Sequence, residues 1–218
     1  MLPLDLTHSL GPRPRILCLG AHPDDIEIGC GGTILRLREQ IPDAEWDWVV
    51  LTGNETRHAE ARASAARFLG DTAAKRLRLQ SFRDGYLPYD GAQVKDFFES
   101  IKREIQPDLI LTHFGKDRHQ DHRVVSELTW NTWRNHLILE YEIPKYDGDL
   151  GQPEVFFPID RSTAEKKTRM VLDVYASQQT KEWFDSEVLL ALMRLRGVEC
   201  NAPDRFAEAF YARKSVWA

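Results

Sequence analysis

The chain has 218 residues, a formal net charge of −5, and 42% hydrophobic and 29% charged residues, which fits one globular domain with a core of ordinary size. No apolar run approaches the ~20 residues of a membrane span, and the start lacks the basic-then-apolar pattern of a secretory signal, so cytoplasm is the expected location. The acidic balance and scattered arginines argue against a nucleic-acid partner; Cys18, Cys30 and Cys200 are odd in number and far apart, which argues against a disulfide framework.

Prolines 3, 12 and 14 predict a loose lead-in over residues 1–14. Residues 16–19 form a short apolar run that predicts a buried strand, and 28–37 a helix. A second strand is expected over 46–52, then an Ala-rich helix over 57–69 closed by Gly70. A third strand follows at 76–82, a turn-rich loop with Tyr86 and Tyr89 at 84–91, a helix at 94–105 and a compact strand at 109–112. This alternation predicts an α/β fold with a parallel sheet wound on both faces.

Beyond it come a helix over 124–137, short strands at 139–143 and 154–158, helices at 163–175 and 185–197, and a last strand at 206–216. No linker separates a second domain, so this last third is expected to extend over the crevice. Trp183, Phe184 and Trp217 are candidates for that lid or for a homo-oligomer contact.

Two polar stretches stand where such a sheet places ligands, beyond the C-terminal ends of its strands. The first is His22-Pro23-Asp24-Asp25 after the first strand, stiffened because Pro23 confines His22 to extended backbone. The second runs from His113 to His122 after the fourth strand and holds three of the seven histidines. His22, Asp25 and His122 make two imidazoles and one carboxylate, a set that leaves open positions on zinc and also suits ferrous iron. Asp24 would then be free as general base and His119 as oxyanion stabiliser or acid. Asp121 suits a partner for a histidine ring nitrogen. The plainer alternative for Asp24, Asp25 or Asp121 is helix N-capping. His113 reads equally as structural or functional.

With Ala21-His22-Pro23-Asp24-Asp25, Glu27 and Gly29-Cys30-Gly31-Gly32, and with Asp117-Arg118-His119-Gln120-Asp121-His122-Arg123, the chain resembles the PIG-L/LmbE-like metal-dependent N-deacetylases. Weaker echoes are Arg57 through Glu60, Tyr141 through Pro144, and Lys167 through Ser177-Gln178. The resemblance implies a Rossmann-like, mostly parallel sheet and zinc on His22, Asp25 and His122, with Asp24 as base and His119 at the oxyanion. It implies Arg57 and Arg123 near the substrate, an N-acetylated amino sugar or its conjugate. Residues 1–218 then form one such domain, with 1–14 a lead-in and 138–218 an extension covering the active-site edge. Thr52-Gly53-Asn54-Glu55 departs from the Gly-Glu pair more usual there, which bears on the substrate rather than the metal.

Two other classes are suggested by parts of the sequence. Gly29-Cys30-Gly31-Gly32 suggests a dinucleotide-binding turn, but the fingerprint spacing is absent and two carboxylates stand where phosphate would bind. A metal-binding, non-catalytic sugar-recognition protein is the other.

Overall fold

The computed structural model describes residues 3–70 and 76–216. Its strands are β1 (Arg15–Gly20), β2 (Glu45–Thr52), β3 (Leu77–Phe82), β4 (Leu109–His113), β5 (Leu137–Tyr141), β6 (Val155–Ile159) and β7 (Phe206–Tyr211). The helices are α1 (Leu6–Leu10), α2 (Asp25–Gln40), α3 (Glu55–Leu69), α4 (Gly91–Lys102), α5 (Gln120–Thr132), α6 (Arg161–Val174) and α7 (Ser186–Glu199). Strands lie in the order β3-β2-β1-β4-β5-β7-β6. The first five in that order are parallel neighbours, while β7 runs antiparallel to β5 and β6. This is the mostly parallel, Rossmann-like sheet that the alternation of elements predicts.

Alternation along β1 explains why both faces are covered. Ile16 and Cys18 join a core with α2, α3 and α6, whereas Leu17 and Leu19 join a second core with α4 and α5. The winding reverses between β1 and β4, and an α/β sheet opens its ligand crevice at such a point.

Beyond shifts of a few residues at element ends, such as α2 and α4 each starting three residues early, the structure differs from the sequence expectations in four places. One helical turn, α1, forms inside the proline-rich start, because Asp5 accepts the His8 amide (3.1 Å) and no proline falls within it. Helix α5 begins at Gln120 rather than Val124 and ends at Thr132, which frees Leu137 to start β5 as a fifth parallel strand. The last strand stops at Tyr211. Phe184 is a core residue and Trp183 packs half-buried against that core, while Trp217 lies outside the described residues.

Helix α2 is broken at Cys30 (φ −145°, ψ 19°), which leaves backbone groups without helical partners. Both broken ends find buried charges, one from strand β7 and one from helix α6. Glu208 on β7 accepts the Gly32 and Thr33 amides at 2.8 and 2.6 Å, and the Lys167 ammonium on α6 donates to the Ile28 carbonyl at 2.6 Å. Lys167 and Glu208 also pair with each other, each only 2% exposed. Gly29 at the break is required by space: a Cβ there would lie 2.2 Å from the Tyr141 ring. No helix among the described residues is long and apolar enough to cross a membrane.

Candidate metal and catalytic site

The site starts from Ala21, the residue after β1, which is held from both neighbouring strands. Its carbonyl accepts the Thr52 amide (2.9 Å) at the end of β2, and its own amide points at His113 Nε2 (3.0 Å) at the end of β4. His22 is therefore presented at the switch point. Its amide donates to Asp25 Oδ2 (2.6 Å), which turns the chain into α2.

Across the crevice His122 projects from the first turn of α5. His22 Nδ1 lies 3.1 Å from His122 Nε2 and 3.2 Å from Asp25 Oδ2, and His122 Nε2 lies 3.4 Å from Asp25 Oδ1. Donors 2.0–2.2 Å from a tetrahedral ion stand about 3.3–3.6 Å apart, close to the spacing of the two rings from each other and from the two oxygens of Asp25, so the donor set suits a divalent cation such as zinc. The remaining ring nitrogens support the same assignment. His122 Nδ1 bonds Asp117 Oδ2 (2.9 Å), and His22 Nε2 faces Asp121 Oδ2 (3.3 Å) and Asp84 Oδ1 (3.2 Å), which leaves Nε2 of the one and Nδ1 of the other for a cation.

Burial and the crowding of acids and imidazoles shape the titration. Burial opposes charge on His22, but Asp25 with Asp121 and Asp84 outweighs it and raises the pKa well above the ordinary value. Burial also works against Asp25, yet His122, His113 and His22 hold its carboxyl well below the usual range. His113, wholly buried and stacked on His122 at 3.9 Å between ring centres, is pushed down to about 4 by burial and by His122. It is a neutral wall behind His122.

Asp24 occupies the N-cap position of α2 but makes no side-chain cap bond. Instead its carboxylate takes an Arg57 guanidinium N–H at 2.7 Å. Arg57, in the first turn of α3, is steered by Ser177 Oγ (3.1 Å) and Glu60 (3.4 Å), and Glu60 in turn accepts both the amide and the hydroxyl of Ser177. Ser177 lies in a single 3-10 turn, Ala176–Gln178, and the neighbouring Tyr175 hydroxyl donates to the Pro23 carbonyl beside Glu27.

His119, not Asp121, is the N-cap residue of α5. Its Nδ1 accepts the Asp121 amide (3.2 Å), so the neutral ring carries its proton on Nε2. Its ring stands 4.8 Å from that of His22 and 4.5 Å from that of His122. Burial, His122 and His22 lower its pKa. Asp121 spends both oxygens on the loop after β3, accepting the Gly85 amide at 2.7 Å and the Leu87 amide at 3.1 Å while still facing His22. Arg123 braces its own loop, its guanidinium donating to the Asp117 carbonyl (3.2 Å) and to that of Arg118.

Residues 17–133 match the model of the PIG-L family, described as GlcNAc-PI de-N-acetylase. The chain belongs to this family. It is 34% identical over 151 residues to the uncharacterized deacetylase YaiS of Escherichia coli, covering 64% of this chain and 79% of that one. It is 30% identical over 126 residues to the diacetylchitobiose deacetylase of Thermococcus kodakarensis, covering 50% of this chain and 45% of that one. A conserved protein of Thermus thermophilus has the same fold, with a TM-score of 0.73, 24% identity, and 94% and 97% of the two chains covered.

Sequence reasoning assigned no role to Asp117, although it stands five residues before His122 in the quoted motif. Asp84, Lys145, Glu60, Ser177 and Tyr175 were also unassigned. Lys145 donates to Asp117 Oδ2 (3.0 Å) and Asp149 (2.6 Å), so it steadies the carboxylate that aims His122. A lone lysine 28 positions away carries no sequence signal for this.

Proposed function

We propose that this PIG-L family deacetylase is a zinc-dependent amide hydrolase that removes the acetyl group from an N-acetylated amino sugar or its conjugate. The observation that carries the reading is the convergence of His22, Asp25 and His122 at 3.1–3.4 Å beside an aspartate, Asp24, that caps nothing. Zinc held by the three would supply Lewis acidity toward water and the acetamide carbonyl.

Asp24 is placed by Arg57 to take the proton of the attacking water and to return it to the departing amine. His119, with its proton on Nε2, donates to the oxygen that gains charge as the carbonyl carbon becomes tetrahedral. Asp117 and Asp121 aim the two liganding rings. Arg57 has its charge neutralised by Asp24 and Glu60, so it acts on the substrate from a fixed position. In the same reading Arg123 serves the substrate through the 117–118 backbone that it braces, and the 175–178 turn covers the substrate edge beside Asp24.

The test is acetate release from a panel of 2-acetamido sugars and conjugates by zinc-loaded protein, with bound metal measured in parallel. Stoichiometric zinc and acetate release are expected; zinc without turnover of any acetamide would leave a sugar-recognition protein instead.

A further inference from the structure

The segment between β5 and β6 reaches the metal cluster through a short turn. Lys145 and Asp149 flank it, and the residues between them, Tyr146, Asp147 and Gly148, are exposed. Gly148 permits the reversal with φ 61°. The two flanking side chains are buried instead, each only 7% exposed, and they pair at 2.6 Å.

Lys145 Nζ has three acceptors within reach, one for each ammonium hydrogen: Asp149 Oδ2 at 2.6 Å, Asp117 Oδ2 at 3.0 Å and the Ile143 carbonyl at 3.5 Å. Asp149 Oδ2 also accepts the Arg118 amide at 2.7 Å. The turn is therefore fastened twice to residues 117–118, once through a side chain and once through the backbone. Asp117 in turn serves both histidines of its motif. Its Oδ2 bonds His122 Nδ1 at 2.9 Å, and its Oδ1 accepts the His119 amide at 2.8 Å. One carboxylate thus aims a proposed metal ligand and fixes the backbone that carries the proposed oxyanion donor.

A buried ion pair is a poor source of stability, because taking both charges out of water offsets most of their attraction. Selecting one arrangement among several is the better-attested use of such a pair. Here the arrangement selected is that of Asp117, which is 2% exposed and meets a cation only on the Lys145 side. With the ammonium in place, Oδ2 is pinned between Lys145 and the His122 ring. Without it, the ring would have to hold the carboxylate that is meant to hold the ring.

We propose that Lys145 is a positioning residue for the metal site: acting through Asp117, it couples closure of the 145–149 turn to retention of the cation by His22, Asp25 and His122. This rests on the metal reading given above. Coupling of this kind is reciprocal, so whatever factor the closed turn adds to metal affinity, bound metal adds to closure of the turn.

The test reads both directions on the full chain, with zinc alone as the probe. Chelator competition gives the zinc affinity of the parent, Lys145→Met, Asp117→Asn and the double variant. Lys145→Met should weaken zinc about tenfold, the lower end of the cost of losing an outer partner of a metal ligand. Because Lys145 acts through Asp117, the double variant should bind zinc no more weakly than Asp117→Asn alone. In the other direction, chymotrypsin cleavage after the exposed Tyr146 follows how often the turn opens, and saturating zinc should slow it about tenfold in the parent. In Lys145→Met brought to saturation, that slowing should disappear. Unchanged zinc affinity in Lys145→Met, additive losses in the double variant, or cleavage indifferent to zinc in the parent would each overturn the proposal, and the last needs no variant to fold. A parent that binds no zinc would sink the metal reading and this coupling together, whereas zinc held beside an indifferent turn sinks the coupling alone.

Discussion

The parallel half of the sheet and its antiparallel edge contribute to one site in different ways. The parallel half carries the groups proposed to do chemistry, His22, Asp24 and Asp25 after β1 and His119 and His122 after β4, each beyond a strand's C-terminal end. Among the described residues the edge supplies none of the proposed ligands. It sends Glu208 from β7 and Lys167 from α6 into the break in α2, and Tyr175 and Ser177 onto the loop and the arginine that flank Asp24. One half holds chemistry in compact motifs, and the other holds it in place through single residues far apart in sequence.

The largest expected effect falls on the parallel half. His122→Ala should lose bound zinc and with it all measurable acetate release, as read by metal analysis and turnover. Asp24→Ala should keep the metal and lose turnover by about 10²–10⁴-fold, the usual worth of a positioned proton acceptor. If instead it lost the metal, the division of labour between the adjacent aspartates would be reversed.

On the edge the effect should fall first on stability. Glu208→Gln leaves the Lys167 ammonium buried without its counter-charge and should cost about 3–5 kcal/mol, measured by urea denaturation. A change in rate without a change in stability would place the pair in the chemistry instead. Asp117→Asn sits between the two halves; it should weaken zinc binding by about 10–100-fold in a chelator competition while the fold stays intact.

A further effect concerns pH. Burial pushes Glu27 up to about 8, whereas a free glutamate titrates near 4.5, so between these values the folded chain holds a proton that the unfolded chain has lost. Stability of the metal-free protein should therefore be fullest at low pH within this window and fall as pH rises from about 4.5 to about 8. Glu27→Gln should flatten that fall, seen as urea midpoints that change less between pH 5.5 and 8.

Much of the fold was legible because hydrophobic periodicity is local. Ile16 to Leu19, the Ala-rich run ending at Gly70 and the apolar 109–112 segment each declared their element within a few residues. The start of α5 was misread because its cap is a histidine, His119, rather than one of the usual capping residues. The single turn of α1 was missed because the prolines around it dominate the composition.

The candidate site divides along the same line. Which residues are proposed to carry metal-binding and proton-transfer chemistry was legible in the sequence alone, since two short clusters, His22 to Asp25 and Asp117 to His122, hold their functional groups close along the chain. That the two clusters meet at 3.1 Å, that Arg57 rather than the helix end takes Asp24, and that Lys145, Tyr175 and Ser177 brace them were decided only in three dimensions. The reason is physical: a ligand's identity is a property of one residue, while its aim is set by buried hydrogen bonds to partners tens of positions away, and those leave no period or spacing to read.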